Sequence, residues 1–145
     1  MRIIIQTDET VQETTLTITC KEITPELERL IEAFRLSDKK ISVKVNGEVR
    51  LIDLKSILYV ETVDGNTFIY TENGVYGSQL RLYELESMLA EHNFIRVNKS
   101  TLLNLNKIES LKSDIDRRIR VTLQNGYQLI ISRAYAEDFK AKLGI

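Results

Sequence analysis

Basic side chains are the residues of this sequence whose types and spacing could do chemistry. Eight Lys and Arg residues stand against three acidic residues between positions 95 and 133, although the whole chain of 145 residues has a formal net charge of −1. Grouped cations suit contact with phosphates, because each phosphate that they neutralise releases counterions. The segment therefore predicts a surface that binds a nucleic-acid backbone. The alternative is a solvated surface with a chance fluctuation of charge.

Arg133 is the most informative of these cations. It follows Ser132, a residue suited to an N-cap, at the start of a predicted last helix, where the helix dipole already presents positive charge. A stabilising sequence would place Asp or Glu there, so we expect Arg133 to serve a purpose other than stability. The same helix end offers free N–H groups to a phosphate, and the hydroxyl of Ser100 can bind one as well.

Residues for enzyme or metal chemistry are few. The chain has one histidine, His92, and one cysteine, Cys20, so it holds no pair of Cys or His with the spacing of a zinc site and no internal disulfide. We expect His92 in an exposed loop and Cys20 as a small buried hydrophobe. The sequence predicts a protein that is not an enzyme and has no catalytic residue, metal, cofactor or small-molecule substrate. One cysteine and no long apolar segment predict a cytoplasmic protein.

The elements that must position these residues are mainly strands. Four dipeptides of the type that forms tight hairpin turns lie between runs rich in Val, Ile, Tyr and Thr: Asn46-Gly47, Asp64-Gly65, Asn73-Gly74 and Asn125-Gly126. The predicted strands cover residues 41–45, 48–53, 58–63, 67–71, 75–78, 118–124 and 127–131. The chain is therefore expected to be mainly β, of the α+β class, with small antiparallel sheets and flanking helices.

Three predicted helices interrupt the strands. Thr24 is suited to the N-cap of the first helix and Pro25 to its first position, and the helix is expected to reach about Arg35. The third is expected to begin after Ser132 and to end at Gly144. Their apolar stripes are Leu27, Leu30, Ile31 and Phe34; Leu82, Leu85, Met88 and Leu89; and Tyr135, Ala136, Phe139 and Leu143. Such stripes are typical of faces that pack against a core.

Residues 1–40 are predicted to form a separate segment of strand, turn, strand and helix, with strands at 2–6 and 15–20. The stretch 36–40, in which Ser37, Asp38, Lys39 and Lys40 are polar, marks the boundary to a domain at 41–145. The first forty residues carry six basic and eight acidic side chains. Two strands and a helix are marginal alone, so we expect the segment to pair two subunits or to dock a partner.

Residues 94–111 read FIRVNKSTLLNLNKIESL and are followed by a basic hairpin, Asn125-Gly126 and Ile131-Ser132-Arg133. Upstream lie Ile57-Leu58-Tyr59-Val60-Glu61 and Leu82-Tyr83-Glu84-Leu85-Glu86. In this order and over about residues 41–143, the sequence closely resembles the LytTR family of DNA-binding domains. The resemblance implies a fold of small antiparallel sheets that reads DNA through loops instead of a recognition helix.

The resemblance also implies which residues contact DNA. The family's contacts come from the loop after the Glu-ended strand, here with Asn66 and Thr67, from the segment Asn98-Lys99-Ser100, and from the Arg that begins the last helix, here Arg133. Lys99 stands where the family often has Arg or Asn; it can donate to guanine but lacks the rigid fork of Arg. We expect Lys99 and Arg133 to read bases in the major groove. The phosphate contacts are expected from Lys112, Arg117, Arg118 and Arg120.

The function predicted is that of a sequence-specific regulator of transcription, which binds double-stranded DNA. Sites of this family are typically paired direct repeats, so a homodimer is expected. Related short regulators are often held in check by a small membrane protein, and the resemblance implies such an inhibitor as a further partner. The alternative is a non-catalytic protein–protein interaction module that binds no DNA, which an uninterrupted exposed apolar edge would favour.

Overall fold

The computed structural model of the protein describes residues 1–37 and 39–145. For Glu32, Ala33 and residues 35–37 it describes the backbone alone. The described residues form three α-helices and ten strands, joined by turns and short 3-10 segments. The helices are α1 (Pro25–Ser37), α2 (Leu82–Leu89) and α3 (Arg133–Leu143). The strands are β1 (Lys40–Val45), β2 (Glu48–Asp53), β3 (Ile57–Val63), β4 (Asn66–Thr71), β5 (Gly74–Ser78), β6 (Phe94–Asn98), β7 (Thr101–Asn104), β8 (Ile108–Ser113), β9 (Ile119–Leu123) and β10 (Gln128–Ile131).

A five-stranded antiparallel sheet lies at the centre, in the order β5-β4-β3-β7-β6. The hairpin β1–β2 and α2 cover one face, where Ile41, Val60, Leu85 and Leu102 belong to one buried cluster. The second sheet, β10-β9-β8, and α3 cover the other face. The central strands therefore bury side chains on both faces, and the domain has three layers.

The second buried cluster contains Leu103, Val121, Ile131 and Phe139, all fully buried. A stack of tyrosine rings lies beside it: Tyr59 stacks on Tyr70 with the ring centroids 4.3 Å apart, and on Tyr127 at 5.2 Å. Because Tyr127 follows the β9–β10 turn, this stack fastens the outer sheet to β3.

The hairpin turns agree with the sequence prediction. Asn46 and Asp64 have φ angles of 53° and 52°, and each is followed by a glycine that also has positive φ. The predicted strands at 41–53 and 58–78 form within one residue of their expected ends. The fold class predicted from the sequence is confirmed, with small antiparallel sheets and flanking helices.

The two predicted N-terminal strands are wrong for the single chain. Residues 1–24, all of which the structure describes, form no strand and are exposed throughout. The prediction that Cys20 is buried is also wrong, because its side chain is exposed. The alternating pattern of residues 15–20 favours a strand, but a strand also needs a neighbour to accept its hydrogen bonds, and the folded domain offers none there.

Helix α1 begins as predicted. The backbone N–H of Leu27 donates to the Thr24 hydroxyl at 3.2 Å, which makes Thr24 the N-cap, and Pro25 takes the first helical position. Leu27 and Ile31 are only partly buried. The predicted domain boundary at 36–40 includes Asp38, which lies outside the described residues.

Candidate nucleic-acid interface

Two turns meet at one end of the central sheet. The backbone N–H of Thr62, near the end of β3, donates to the carbonyl of Ser100 in the β6–β7 turn at 2.9 Å. The β3–β4 turn, Asp64-Gly65, follows immediately after β3. The antiparallel pairing of β3 with β7 therefore brings the predicted contact segments 64–67 and 98–100 to the same edge.

The first turn of α3 joins this edge. The backbone N–H of Ser132 donates to the carbonyl of Val97 at 3.0 Å, and its hydroxyl donates to the same oxygen at 3.5 Å. Since Val97 directly precedes Asn98, these bonds fix the start of α3 beside the β6–β7 turn. Arg133 is thereby held next to the turn that carries Lys99.

An open cleft of about 560 Å³ lies where these parts meet, and we call it the basic cleft. Three cations, Lys99, Arg118 and Arg133, line it together with a single acidic residue, Asp116. Its remaining lining residues are Asn98, Ser100, Ser132, Ala134 and Tyr135. The basic cleft brings together Asn98, Lys99, Ser100, Arg118 and Arg133, all of which the sequence predicted as contacts.

Lys99 is presented by a turn that its neighbours stabilise. The side-chain oxygen of Asn98 accepts hydrogen bonds from the backbone N–H of Ser100 at 2.8 Å and from its hydroxyl at 3.1 Å. The guanidinium of Arg96 donates to the Lys99 carbonyl at 3.3 Å and also pairs with Glu86 at 3.5 Å. Asn98 and Ser100 thus shape the turn, as Asx turns do. The exposed Lys99 and Arg133 side chains make no ion pair with any residue that the structure describes.

The β8–β9 turn forms one wall of the basic cleft and is stabilised by Asp114. Its carboxylate accepts the backbone N–H of Ile115 at 2.8 Å and the Arg120 guanidinium at 3.1 Å. The N–H of Ile115, followed by Arg120, lowers the pKa of Asp114. Asp116 and Arg117 both have positive φ, 58° and 65°. This turn contains no glycine, which is the usual sequence signal for positive φ, so the sequence did not predict it.

The remaining basic residues that were predicted to contact DNA differ in how exposed their side chains are. Arg117 and Lys112 are exposed, whereas Arg120 is partly covered and paired with Asp114. Lys112 lies opposite Arg120 in the register of β8 and β9, so two cations are adjacent there, and Asp114 pairs with Arg120.

The prediction for Thr67 does not agree with its position. Asn66 is exposed at the start of β4, but the Thr67 side chain is only 5% exposed. Because side chains alternate along a strand, Thr67 points into the molecule while its neighbour points out. The β3–β4 turn can therefore offer Asn66 to a ligand but not Thr67.

Asn104, next to Leu105, has a structural role. The residue is 2% exposed; its side-chain NH2 donates to the Ile57 carbonyl at 2.8 Å, and its side-chain oxygen accepts the backbone N–H of Asn106 at 3.0 Å. Among the described residues no three His, Cys, Asp or Glu side chains lie close enough to hold a metal ion. No helix in the described part of the chain is long and apolar enough to cross a membrane.

The fold and the basic cleft together define a class of protein: a small β-rich domain that presents unpaired cations on turns, as nucleic-acid-binding domains do. A comparison with family models matches the LytTr DNA-binding domain over residues 47–144. The chain belongs to this family, as the motifs in its sequence indicated. The match begins within the β1–β2 hairpin and ends just after α3.

Several relatives come from Staphylococcus aureus. A protein of strain NCTC 8325, named an uncharacterized HTH-type transcriptional regulator, is 28% identical over 147 aligned positions that cover 100% of this chain and 98% of the relative. A relative of the same description in strain MSSA476 is 32% identical over 101 positions, which cover 70% of this chain and 68% of the relative. The similarity of the first extends over residues 1–46 as well.

A solved structure has the same fold. It is described as the LytTr DNA-binding domain of a methyl-accepting/DNA response regulator from Bacillus cereus, and it superimposes with a TM-score of 0.69 at 24% identity. The alignment covers 74% of this chain and 99% of that one. Although the relatives are named HTH-type, α2 and α3 of this chain are separated by the five strands from β6 to β10, so they form no helix-turn-helix.

Proposed function

We propose that this protein is a transcription regulator that recognises a specific site in double-stranded DNA with the turns around the basic cleft. The observation that carries the proposal is that Lys99 and Arg133, 34 positions apart in the sequence, line the same cleft with no carboxylate paired to either among the described residues. Cations left unpaired at a turn and at a helix N-terminus cost stability, and a polyanionic ligand compensates them.

Lys99 and Arg133 have a different role from the other basic residues. Arg133 and Lys99 read bases in the major groove, where guanine presents two acceptors, O6 and N7. Lys112, Arg117 and Arg118 contact phosphates and set the position of the protein on the duplex. Arg120 supports the β8–β9 turn through Asp114 and adds positive potential. Asn66, on the neighbouring turn, contacts the flanking backbone.

Two copies bind one operator, arranged as paired direct repeats, and residues 1–40 pair them. Support comes from residues 2–6 and 15–20, whose sequence is typical of strands although they are exposed in the single chain. The protein works in the cytoplasm, where the DNA is. A small membrane protein that sequesters the regulator is a further partner, and its docking place is the same N-terminal segment. The alternative, an interaction module that binds no DNA, does not account for the match of residues 47–144 to a family of DNA-binding domains.

The test is a selection of binding sites followed by a comparison of variants. Duplexes retained by the protein from a random pool are sequenced, and affinity is measured for the selected duplex and a scrambled one. Lys99→Ala/Arg133→Ala should abolish the preference for the selected duplex. The matched control, Lys44→Ala/Lys55→Ala, removes the same charge from exposed positions on β1 and after β2 and should keep the preference. Equal losses in both double variants would contradict the proposal.

The dependence on salt is a second part of this test. With Lys112, Arg117 and Arg118 on phosphates, the logarithm of the association constant should fall with the logarithm of salt concentration with a slope of about −3 per bound copy. The acidic isoelectric point of 5.9 would lead one to expect little salt dependence. A slope near zero would show that the basic cleft is not at the interface.

A further inference from the structure

Residues 1–24 expose an unusual amount of apolar surface. Eight of the large hydrophobic residues that are exposed lie in this segment, among them Ile3 (78%), Ile5 (84%) and Leu16 (61%). Within the described part of the chain, no hydrogen bond or ion pair joins residues 1–23 to the rest of the protein. Soluble monomers rarely expose contiguous apolar surface on this scale, and where they do it marks an interaction site.

Residues 15–20 of this segment also have the sequence pattern of a strand but no partner strand. In Thr15-Leu16-Thr17-Ile18-Thr19-Cys20, threonines alternate with apolar residues, so one side of the extended chain is apolar and the other carries threonine hydroxyls. Its backbone N–H and C=O groups have no partner strand in the single chain. Such a segment is a template for pairing with another strand.

We propose that residues 13–21 of two copies pair with each other as antiparallel strands, with the two-fold axis at Thr17, and that this pairing forms the dimer. The proposal rests on the proposed function only for its expectation of a dimer. None of its contacts involves the basic cleft.

The register follows from complementarity of the segment with itself. With the axis at Thr17, Leu16 of one copy lies opposite Ile18 of the other, and Glu13 lies opposite Lys21, once at each end. Opposite residues in antiparallel strands share a face, so apolar side chains meet apolar ones and each carboxylate meets an ammonium group. An axis between Thr17 and Ile18 would put Leu16 opposite Thr19 and mix the two faces.

Other registers that keep the faces separate lose the charge pairing. An axis at Ile18 puts Lys21 opposite Thr15, and an axis at Leu16 puts Glu13 opposite Thr19. Apolar matching therefore excludes the axes between residues, and charge matching favours the axis at Thr17 over those at Leu16 and Ile18. Closed two-fold pairing of this kind is the commonest way in which identical chains associate. The two-fold axis relates the N-terminal strands alone, since DNA-binding domains on direct repeats face the same way along the duplex.

Residues 2–6 extend the same sheet. The chain between the two segments already turns, because the backbone N–H of Val11 donates to the Asp8 carbonyl at 3.2 Å and the backbone N–H of Thr10 to the Asp8 carboxylate at 2.9 Å. If residues 2–6 fold back beside residues 15–19, Ile3 and Ile5 come to the face of Leu16 and Ile18. The dimer then has a four-stranded sheet with one apolar face.

The experiment is site-directed cross-linking in the full chain with Cys20→Ser, which removes the native thiol. Thr17→Cys should form a disulfide-linked dimer on oxidation, because the two introduced thiols face each other across the axis. Thr15→Cys or Thr19→Cys alone should not, since each is about 13 Å from its own copy along the strand. A mixture of the Thr15→Cys and Thr19→Cys proteins should cross-link, since these positions are opposite.

Charge reversal tests the ends of the paired strands. Glu13→Lys should raise the dissociation constant of the dimer about tenfold, and adding Lys21→Glu should restore it, as measured by sedimentation. Glu9→Lys makes the same charge change outside the paired strand and should have little effect. A monomeric protein at micromolar concentrations, or cross-linking of Thr17→Cys no stronger than of Thr15→Cys, would overturn the proposal.

The outcome can be separated from that of the proposed function. All of these positions are distant in sequence from the basic cleft, so binding to a half-site by each variant reports on the DNA contacts alone. Cross-linking without DNA binding would refute the proposed function and leave the dimer intact. DNA binding by a monomer would refute the dimer and leave the proposed function intact. The exposed segment would then be a binding site for a different protein.

Discussion

Arg133 lies in the first turn of α3, where it gains nothing from the helix and makes no ion pair with a described residue. Lys112 is also exposed, but it lies on β8 and is not among the lining residues of the basic cleft. At the scale of single residues, variants of these two cations therefore distinguish recognition of the base sequence, assigned to Arg133, from electrostatic attraction to any DNA, assigned to Lys112.

We expect Arg133→Ala to cost about 1–3 kcal/mol of binding free energy on the selected duplex and to relax the preference for sequence. Lys112→Ala should weaken binding to selected and random duplexes by a similar factor, because a phosphate contact carries no sequence information. Titrations of both variants against both duplexes make the comparison. Uniform losses for both variants would remove Arg133 from the base-reading role.

Asn104 is the buried polar residue whose loss should be felt most in the fold. Replacing it with alanine leaves the buried Ile57 carbonyl without its donor and the Asn106 N–H without its acceptor. We expect Asn104→Ala to lower the free energy of unfolding by about 2–4 kcal/mol, as measured by urea denaturation. Asn106→Ala, exposed on the same turn, should stay within about 0.5 kcal/mol of the natural protein. Similar costs for both would mean that the Asn104 amide is not essential.

At the scale of elements, the β8–β9 turn couples stability to pH through Asp114. A carboxyl group whose pKa is lowered by folding contributes stability that is present above its unfolded pKa, about 3.9, and is lost as the pH falls towards the folded pKa. Asp114→Asn should therefore be less stable than the natural protein at neutral pH, and the difference should shrink below about pH 4.

Thermal unfolding between pH 2.5 and 7 measures this difference. Asp116→Asn is the matched control, because Asp116 lies in the same turn and makes no ion pair with a described residue. It removes the same charge without breaking an ion pair to a described residue. If the two variants showed the same dependence on pH, the bonds of Asp114 to Ile115 and Arg120 would not be the cause.

The elements that could be predicted from the sequence are those that carry their own local signal. Asp64-Gly65 and Asn46-Gly47 adopt positive φ at low cost, so the hairpins around them follow directly from the sequence. Strand β7 gave no such signal, because all four of its residues are buried between two layers and show no alternation. Strand β8 was missed for the opposite reason, since nearly all of it is exposed.

The site was predictable in part. Lys99 and Arg133 were identified from charge, helix position and family resemblance, and the basic cleft contains both. The burial of Thr67 depends on which face β4 turns to the core, and the pairing of Arg120 with Asp114 depends on a turn without glycine. The N-terminal strands failed because an alternating pattern indicates that a strand can form but does not supply its partner.

At the scale of the whole molecule, the division of labour between residues 1–40 and 41–145 remains a prediction. A shortened chain that begins at Lys39 keeps the carbonyl that accepts the Leu54 N–H at 3.1 Å, and it keeps both buried clusters. It should fold, bind a single half-site about as the full chain does, and lose cooperative binding to the paired site.

Sedimentation and titration on single and paired sites measure these properties. Circular dichroism shows whether the shortened chain is folded, so that loss of binding by an unfolded protein is recognised. If the shortened chain occupied the paired site as tightly as the full chain and in the same oligomeric state, residues 1–38 would have no role in pairing.

Strand β3 has a strand on either side and a layer on either face, with Ile57 and Val60 fully buried. Its amide protons can therefore exchange with deuterium only when the whole domain opens, whereas those of the turn at 98–100 exchange through local opening. The slowest exchange rates would thus give the global stability without any denaturant. In the same experiment, slower exchange of the turn amides on adding duplex would show that DNA contacts this turn. The exchange rates of the β3 amides serve as the internal reference for opening of the whole domain.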